Sequence, residues 1–584
     1  MTSSTRRWGL TDPLSNALPT DKELEMTETL LKELRAQGNF EAPEATEKRK
    51  QVLKHFQEVT LAFVRLVGQQ KGLPASSLDD AGGMISTFGS YRLGVFGPGS
   101  DIDTLVVAPK HVTREDFFKH FPSLLAEKSP KDAIEESAPV PNAAVPIIKF
   151  KYSGISIDLI FVSLSLSSIP ENLDLKEMKI LRGLTEADSK SLNGTRVTDE
   201  ILTLVPQVKT FRLALRAIKM WAQARAVYGN VIGFPGGVAW AMMVARICQC
   251  YPMATASTVV LKFFTLMAGW PWPRPVQLKE IEEGPFNFRT WNPMIYGSDK
   301  NHLMPVITPA YPSMCATHNI TLSTKTVINR ELEHAMKITN EIMDGKKPWK
   351  ELFKRHAFFT EGYKYYLSVT SASRTKEAQS IWSGTVQSKI RRFLVSGIEI
   401  SAEGVEIAHP FNEGFDRIHN CKNEDEVQEV LSGSMKYQVS VTKTTEEVHD
   451  FKQSIAAQGA DALEMPTENG HKANPDGTFT IYTTTFYVGI ELSPGEKSLD
   501  ISYPVTQFKN ECVSWDQYNA ELNSVRVVHI RNYDLPDDVF KPGEKRPVKA
   551  TKKTKKRTQQ DAGLTDDSKG VKRHQTNGIA ASAG

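Results

Sequence analysis

The chain is poor in cysteine. The five it has, at positions 248, 250, 315, 421 and 512, are odd in number and scattered, with no C-x-x-C pair. That excludes a disulfide framework and a spaced-cysteine zinc site, and makes a reducing compartment the expected setting. Long apolar runs are also missing. The nearest approach is the uncharged stretch Ala226–Ala245, which holds Tyr228, Asn230, Pro235 and four glycines. Such a composition suits no lipid-facing helix. The opening residues, MTSSTRRWGL, lack an apolar core, so no export leader is expected. No internal repeat is visible. Net charge is slight at +3, but it is unevenly placed. From Lys541 onward twelve Lys/Arg stand against four Asp/Glu, a tail of +8 that leaves −5 for the preceding body. The basic excess belongs to an extended end and not to a globular surface.

What is present is an ordinary globular composition, 40% hydrophobic and 24% charged, in 584 residues. That length predicts two to four domains. Helical periodicity runs over Lys22–Gln37 and Ala45–Gln69; in the second, Phe56, Val59, Phe63 and Val67 mark a buried stripe. A long helix begins past Pro206. It buries Val208, Phe211, Leu215, Ile218 and Ala222, presents Arg212, Arg216, Lys219 and Gln223 on a polar face, and stops near Tyr228-Gly229-Asn230. Another helix covers Gly237–Cys250, and GWPWPRP then breaks the pattern. From about Phe358 β-rich runs alternate with helical ones, which reads as a separate α+β domain. Residues 456–477 read as a long polar loop, and the basic end as disordered.

One stretch carries chemistry. In FGSYRLGVFGPGSDIDTLVVAP, Phe88 to Pro109, a Gly-Ser pair precedes two aspartates separated by one residue. On a strand, Asp101 and Asp103 share a face while Ile102 turns to the core. Two carboxylates so placed can bridge a pair of divalent cations for phosphoryl transfer. A third carboxylate on a neighbouring strand completes such a site. The hairpin read in VPIIKFKYSGISIDLIF supplies Asp158, on the face opposite the row Ile155, Ile157, Leu159 and Phe161. Gly89 permits close backbone approach and Ser90 adds a hydroxyl at the start of a short helix. Taken singly these signals are weak: a D-x-D is often a solvated turn, and Lys219 shares its helix face with two arginines. Their spacing together makes a catalytic site the better reading.

The G-S, D-x-D and distal strand Asp pattern resembles the polymerase-beta-like nucleotidyltransferase superfamily. With SLNGTRVTDEIL, FRLALRAIKMWAQARAVYGNVIGFPGG, GWPWPRPV and MPVITPAYPSMCATHN, residues 8–535 resemble the eukaryotic nuclear poly(A) polymerase family, the fungal form more closely. The resemblance implies an α+β multidomain fold. A nucleotidyltransferase domain spans about 56–205, a helical middle domain combines 8–55 with 206–355, an RRM-like domain spans 356–535, and a basic tail follows over 536–584. It implies template-independent addition of AMP from ATP to RNA 3′ ends, in a cleft between the first two domains. Asp101, Asp103 and Asp158 would hold two Mg²⁺ ions, with Mn²⁺ as a substitute. Gly89 and Ser90 would cradle the β- and γ-phosphates, and Lys219 and Tyr228 would reach the triphosphate across the cleft. Asn230, Gly236, Gly237 and Val238 would lie near the nucleotide; Phe88 would touch the base or simply pack. Lys149 and Asn193 match positions near the primer terminus or incoming nucleotide. The implied partners are ATP, the RNA 3′ end and subunits of the mRNA cleavage and polyadenylation machinery, with no membrane and a monomeric enzyme. The segment KRPVKATKKTKKR reads as a nuclear localisation signal, an electrostatic arm for RNA, or both. Two other functions fit less well: a related transferase using UTP or CTP, and a non-catalytic RNA-binding scaffold, which would be expected to lack a carboxylate.

Overall fold

The computed structural model describes residues 7–141, 145–439, 473–474, 476–496 and 499–549. Most of the polar loop expected at 456–477 and residues 550–584 of the tail lie outside them; the tail expected to be disordered from 536 is instead ordered over 536–549, where Val539 is buried. Helix α1 (Asp21–Ala36) opens on a capping box in which Thr20 and Glu23 satisfy each other's backbone N–H. Then follow α2 (Pro43–Gln70), α3 (Ala75–Asp79), β1 (Met84–Thr87), α4 (Gly89–Leu93), β2 (Ile102–Pro109), α5 (Arg114–Lys128), β3 (Ile134–Val140), β4 (Ile147–Tyr152), β5 (Ile155–Leu164) and α6 (Glu186–Leu204).

The strands form one sheet in the order β1-β2-β5-β4-β3, with β2 and β5 parallel and the other pairs antiparallel. The β4–β5 turn falls at Ser153-Gly154, both left-handed, as a two-residue hairpin requires. Helices α2 and α5 cover one face, where Phe56, Phe63, Phe117 and Phe161 pack together. On the other face Leu105, Val107, Ile160 and Val162 meet Leu192 of α6. Asp158 therefore shares its face with a second apolar layer. A sheet buried on both sides reads as continuous hydrophobic sequence, which hides the alternation.

The boundary expected at residue 55/56 falls inside α2. That helix runs unbroken, and Val52 packs in the same core as Phe56 and Val59. Only α1 joins the next unit: its Leu30 and Leu34 sit in a core with Trp221, Trp240, Phe263 and Phe264. This core belongs to α7 (Val208–Ala224), α8 (Gly237–Cys250), α9 (Ala256–Ala268) and α11 (Leu322–Met343), the short α10 (Gly297–Lys300) lying outside it. Helix α7 ends four residues before the stop expected at Tyr228, because Ala226 already takes the left-handed conformation.

The polar face expected on α7 is not a solvated one. Arg216 is only 8% exposed. It donates to the carbonyl oxygens of Asn39 (2.7 Å) and Gly94 (3.3 Å), and Arg212 donates to that of Leu93 (2.8 Å). This face docks on the first unit, against the end of α4 and the segment after α1.

The third unit comprises β6 (Tyr365–Ser373), α12 (Lys376–Lys389), a π-helical turn at Ile390–Val395, α13 (Ser396–Ser401), β7 (Val405–Pro410), β8 (Phe415–Cys421), α14 (Glu424–Leu431), β9 (Gln438–Val439), β10 (Phe479–Leu492), α15 (Ser502–Val513) and β11 (Asn523–Arg531). The sheet order is β11-β6-β10-β8-β9, with β7 also paired to β10. Helices α12 and α15 pack on one face through Trp382, Val386 and Phe508. The opposite face is covered over β8, β10 and the ends of β6, while Arg526 and Val528 of β11 stay exposed there. At one end Val427 and Val430 of α14 cover Ala372, Cys421 and Ile481. At the other, Leu535 and Val539 lie on Tyr366 and Tyr487. Between them the buried Arg417 grips Asp538 with two hydrogen bonds of 2.7 and 2.9 Å.

Candidate active site

Strands β2 and β5 run side by side with Asp103 in register with Asp158. Asp101 stands one residue before β2, and the two-residue period brings it to the same face. Oxygens of the three carboxylates come within 4.8 Å of one another, and all three side chains are partly buried. Loss of water pushes the Asp103 carboxyl well above its ordinary range; the neighbouring charges of Asp101 and Asp158 push it further, while Lys149 and Lys219 oppose them. The donor set is hard, anionic and short of compensating charge, which fits a divalent cation.

Lys149 lies opposite Asp158 on β4, is 2% exposed, and ion-pairs with it. A buried ammonium needs such a partner. Lys219 arrives from α7 of the helical unit, near enough to act on Asp103. The ambiguity of its helix face is resolved by placement: its neighbours Arg212 and Arg216 anchor that face to the catalytic unit.

Gly89 holds a left-handed φ of 59°. A methyl group there would stand 2.0 Å from Asp103 Oδ2. The glycine expected to clear space for a ligand thus clears it first for a carboxylate. Ser90 follows in α4, its carbonyl closing the short helix on the Val95 N–H at 3.0 Å. Phe88 packs: a methyl group on Gly194 of α6 would meet the ring at 3.0 Å, and the ring joins the layer of Leu105 and Leu192. Beside Gly194, Asn193 has a buried Oδ1 with no hydrogen-bond partner among the described residues.

The remaining candidates lie on the α7–α8 loop. A Cβ on Gly237 would stand 2.8 Å from the Tyr228 hydroxyl, and one on Gly236 3.6 Å from Asn230 Cβ. Helix α8 begins at Gly236 with no side-chain cap, leaving its first N–H groups open to an anion. Val238, in that first turn, is 40% exposed. The structure therefore forms one cluster from Asp101, Asp103, Asp158, Lys149, Lys219 and Gly89. It gathers Tyr228, Asn230, Gly236 and Gly237 in a second, and Phe88 with Gly194 beside Asn193 in a third. Sequence reasoning missed Arg212 and Arg216 as interdomain anchors. Both donate to backbone carbonyls, which no residue pattern can advertise.

Three family models match in succession: the poly(A) polymerase nucleotidyltransferase domain over residues 9–205, its central domain over 210–355, and its predicted RNA binding domain over 357–549. Poly(A) polymerase pla1 of Schizosaccharomyces pombe is 50% identical over 556 residues, 94% of this chain and 96% of its own. Poly(A) polymerase PAPa of Candida albicans is 47% identical over 550 residues, 94% of this chain and 95% of its own. The crystal structure of the Cid1 poly(U) polymerase aligns with 57% of this chain and 99% of its own, at 14% identity and a TM-score of 0.36. That last likeness is too distant to carry an argument.

Proposed function

Since the chain belongs to the poly(A) polymerase family, we propose that it adds AMP from ATP to RNA 3′ ends without a template and releases pyrophosphate. The observation that carries this reading is the complete carboxylate triad, set at the junction of two domains with a lysine from each. Asp101 and Asp103 would hold two Mg²⁺ ions, or Mn²⁺ in their place, and Asp158 would complete one of the two sites. When bound, the ions neutralise triphosphate charge and ease loss of the 3′-hydroxyl proton.

The chain's own groups position the reactants. The 3′-oxygen forms its bond to the α-phosphorus as the α–β bridging bond breaks, and in-line geometry is the main requirement. Lys219 and Tyr228 reach the triphosphate, Gly89 and Ser90 cradle its far end, and the open N–H groups of α8 add partial positive charge. Asn230, Gly236, Gly237 and Val238 line the nucleotide side, with Phe88 packed behind. Lys149 and Asn193 face the reacting end. Closing of the cleft between the two domains around substrate would bring the two halves of the site together and exclude water.

A scaffold role is disfavoured by the intact triad, and a UTP or CTP transferase by the full-length kinship. The test is extension of an oligo(A) primer with Mg²⁺ and each nucleoside triphosphate in turn. ATP should dominate; dominant UTP or CTP incorporation overturns the reading.

The basic end supports a nuclear setting and association with RNA and with 3′-processing subunits, the catalytic chain itself being monomeric. Removing residues 550–584 should leave turnover at saturating primer intact while the protein loses nuclear retention, seen by imaging a fluorescent fusion, or weakens on RNA as salt rises. Lost turnover at saturating primer would refute an accessory tail.

A further inference from the structure

The loop that carries Tyr228 and Asn230 is held by two domains. It first closes on itself: Gly233 N–H donates to Asn230 O at 3.2 Å, Phe234 N–H to Gly229 O at 3.0 Å, and Gly229 N–H to Pro235 O at 3.3 Å. Its root is fixed within the helical unit. Arg225 grips the Glu331 carboxylate at 2.7 and 3.0 Å and donates to the carbonyls of Lys354 and Arg355. The Asn230 carbonyl accepts from Asn319 Nδ2 at 3.1 Å.

The next carbonyl is held by a different domain. Val231 O accepts from Arg391 Nε of the third domain at 3.0 Å. Arg391 lies in the π-helical turn Ile390–Val395 between α12 and α13. Such turns are rare and concentrate where a helix must aim a side chain for function. A second contact from the same domain lies nearby: Phe234 meets the His409 ring of β7 edge-on at 5.6 Å. Two consecutive carbonyls, at 230 and 231, are therefore pinned by two different domains. That fixes the peptide planes on either side of Val231; the first of them is also one of the two planes that flank Asn230, the other being held by the Gly229 carbonyl's bond from Phe234 N–H.

We infer that Arg391 is a positioning residue for the nucleotide site. Its bond is to the Val231 carbonyl, and through that carbonyl it acts on Asn230 and Tyr228. The domain matched as RNA-binding thereby supports the ATP side of the cleft, and its seating sets nucleotide affinity. The inference rests on the reading of that loop as the ATP site.

The experiment compares Arg391→Ala, Arg391→Lys and Arg330→Ala in the full chain. Arg330 also bridges the helical and third domains, through Glu406 and Glu491, but does not touch the loop. In primer extension Arg391→Ala should raise KM for ATP roughly tenfold, with kcat and primer KM within about twofold, the loss of one charged hydrogen bond expressed in binding. Arg391→Lys should recover part of the loss, and Arg330→Ala should match the wild type. An unchanged ATP KM in Arg391→Ala overturns the inference, as does an equal rise in Arg330→Ala, which would make the bond generic interdomain glue. Titration with a fluorescent ATP analogue reads the same differences without turnover. A wild-type chain that extends no primer sinks the function; one that extends primer while Arg391→Ala binds normally sinks only this inference.

Discussion

Asp103→Asn should abolish AMP transfer, by on the order of 10³-fold or more, while leaving the chain folded. Asparagine keeps the shape of the side chain and removes one of three like charges. Asp103 is the member of the triad to change because it lies between the other two: in register with Asp158 across the β2–β5 pair and two residues from Asp101 on its own strand. Losing one of the two carboxylates that would serve both cation positions should cost more than losing a group that merely orients one. The fold should not suffer. Burial and two neighbouring carboxylates already disfavour a charged Asp103, so the substitution relieves repulsion. Thermal unfolding in chelator should place the variant at or above the wild type. Mg²⁺ should raise the wild-type melting temperature and leave that of Asp103→Asn little changed. Retained activity would overturn the two-cation assignment; a large drop in melting temperature would make Asp103 a structural residue instead.

Gly89→Ala should cost about 10²-fold in turnover, and its control is Gly99→Ala. Both glycines are left-handed, at φ 59° and 75°, and both pay about 1 kcal/mol for gaining a Cβ there. They differ in what the new methyl group meets. At Gly99 nothing lies within 4 Å; at Gly89 Asp103 Oδ2 lies at 2.0 Å. The backbone has little room to retreat, because the Phe88 N–H is bonded to Asp103 O at 3.0 Å. The carboxylate must swing, and a misplacement of about 1 Å costs that order of rate. Steady-state kinetics of the pair separates collision from strain. Equal activity in the two variants would show that conformation alone matters at Gly89.

The legible parts of the site were those written in side chains at a fixed period. Asp101, Asp103 and Asp158 stand where strand alternation puts them, and the turn at Ser153-Gly154 declared the hairpin that carries Asp158. Parts that depend on placement were opaque. Lys219 has the same local pattern as a solvated lysine, and only the docking of α7 on α4 gives it a destination. Arg216 looked polar and exposed because its acceptors are carbonyl oxygens of Asn39 and Gly94. Arg391 was invisible for the same reason. The domain boundary was misjudged because α2 is one continuous amphipathic helix, and periodicity carries no mark of which core its stripe enters. The helices α9 and α11 went unread: α9 is buried along most of its length and offers little contrast between faces.

The covered middle of the third domain's sheet bears on how the strand advances. A base stacked on an aromatic platform must be peeled away before the chain can shift by one unit, a cost of about 1–3 kcal/mol per base. Here the middle of that surface is occupied by Arg417 and Asp538, with Leu535 and Val539 lying over Tyr366 and Tyr487 beside them. An RNA held by this domain would then rest on its flanks and edges, where contacts to phosphate repeat from one step to the next, and the barrier to each one-unit shift would be left to the cleft.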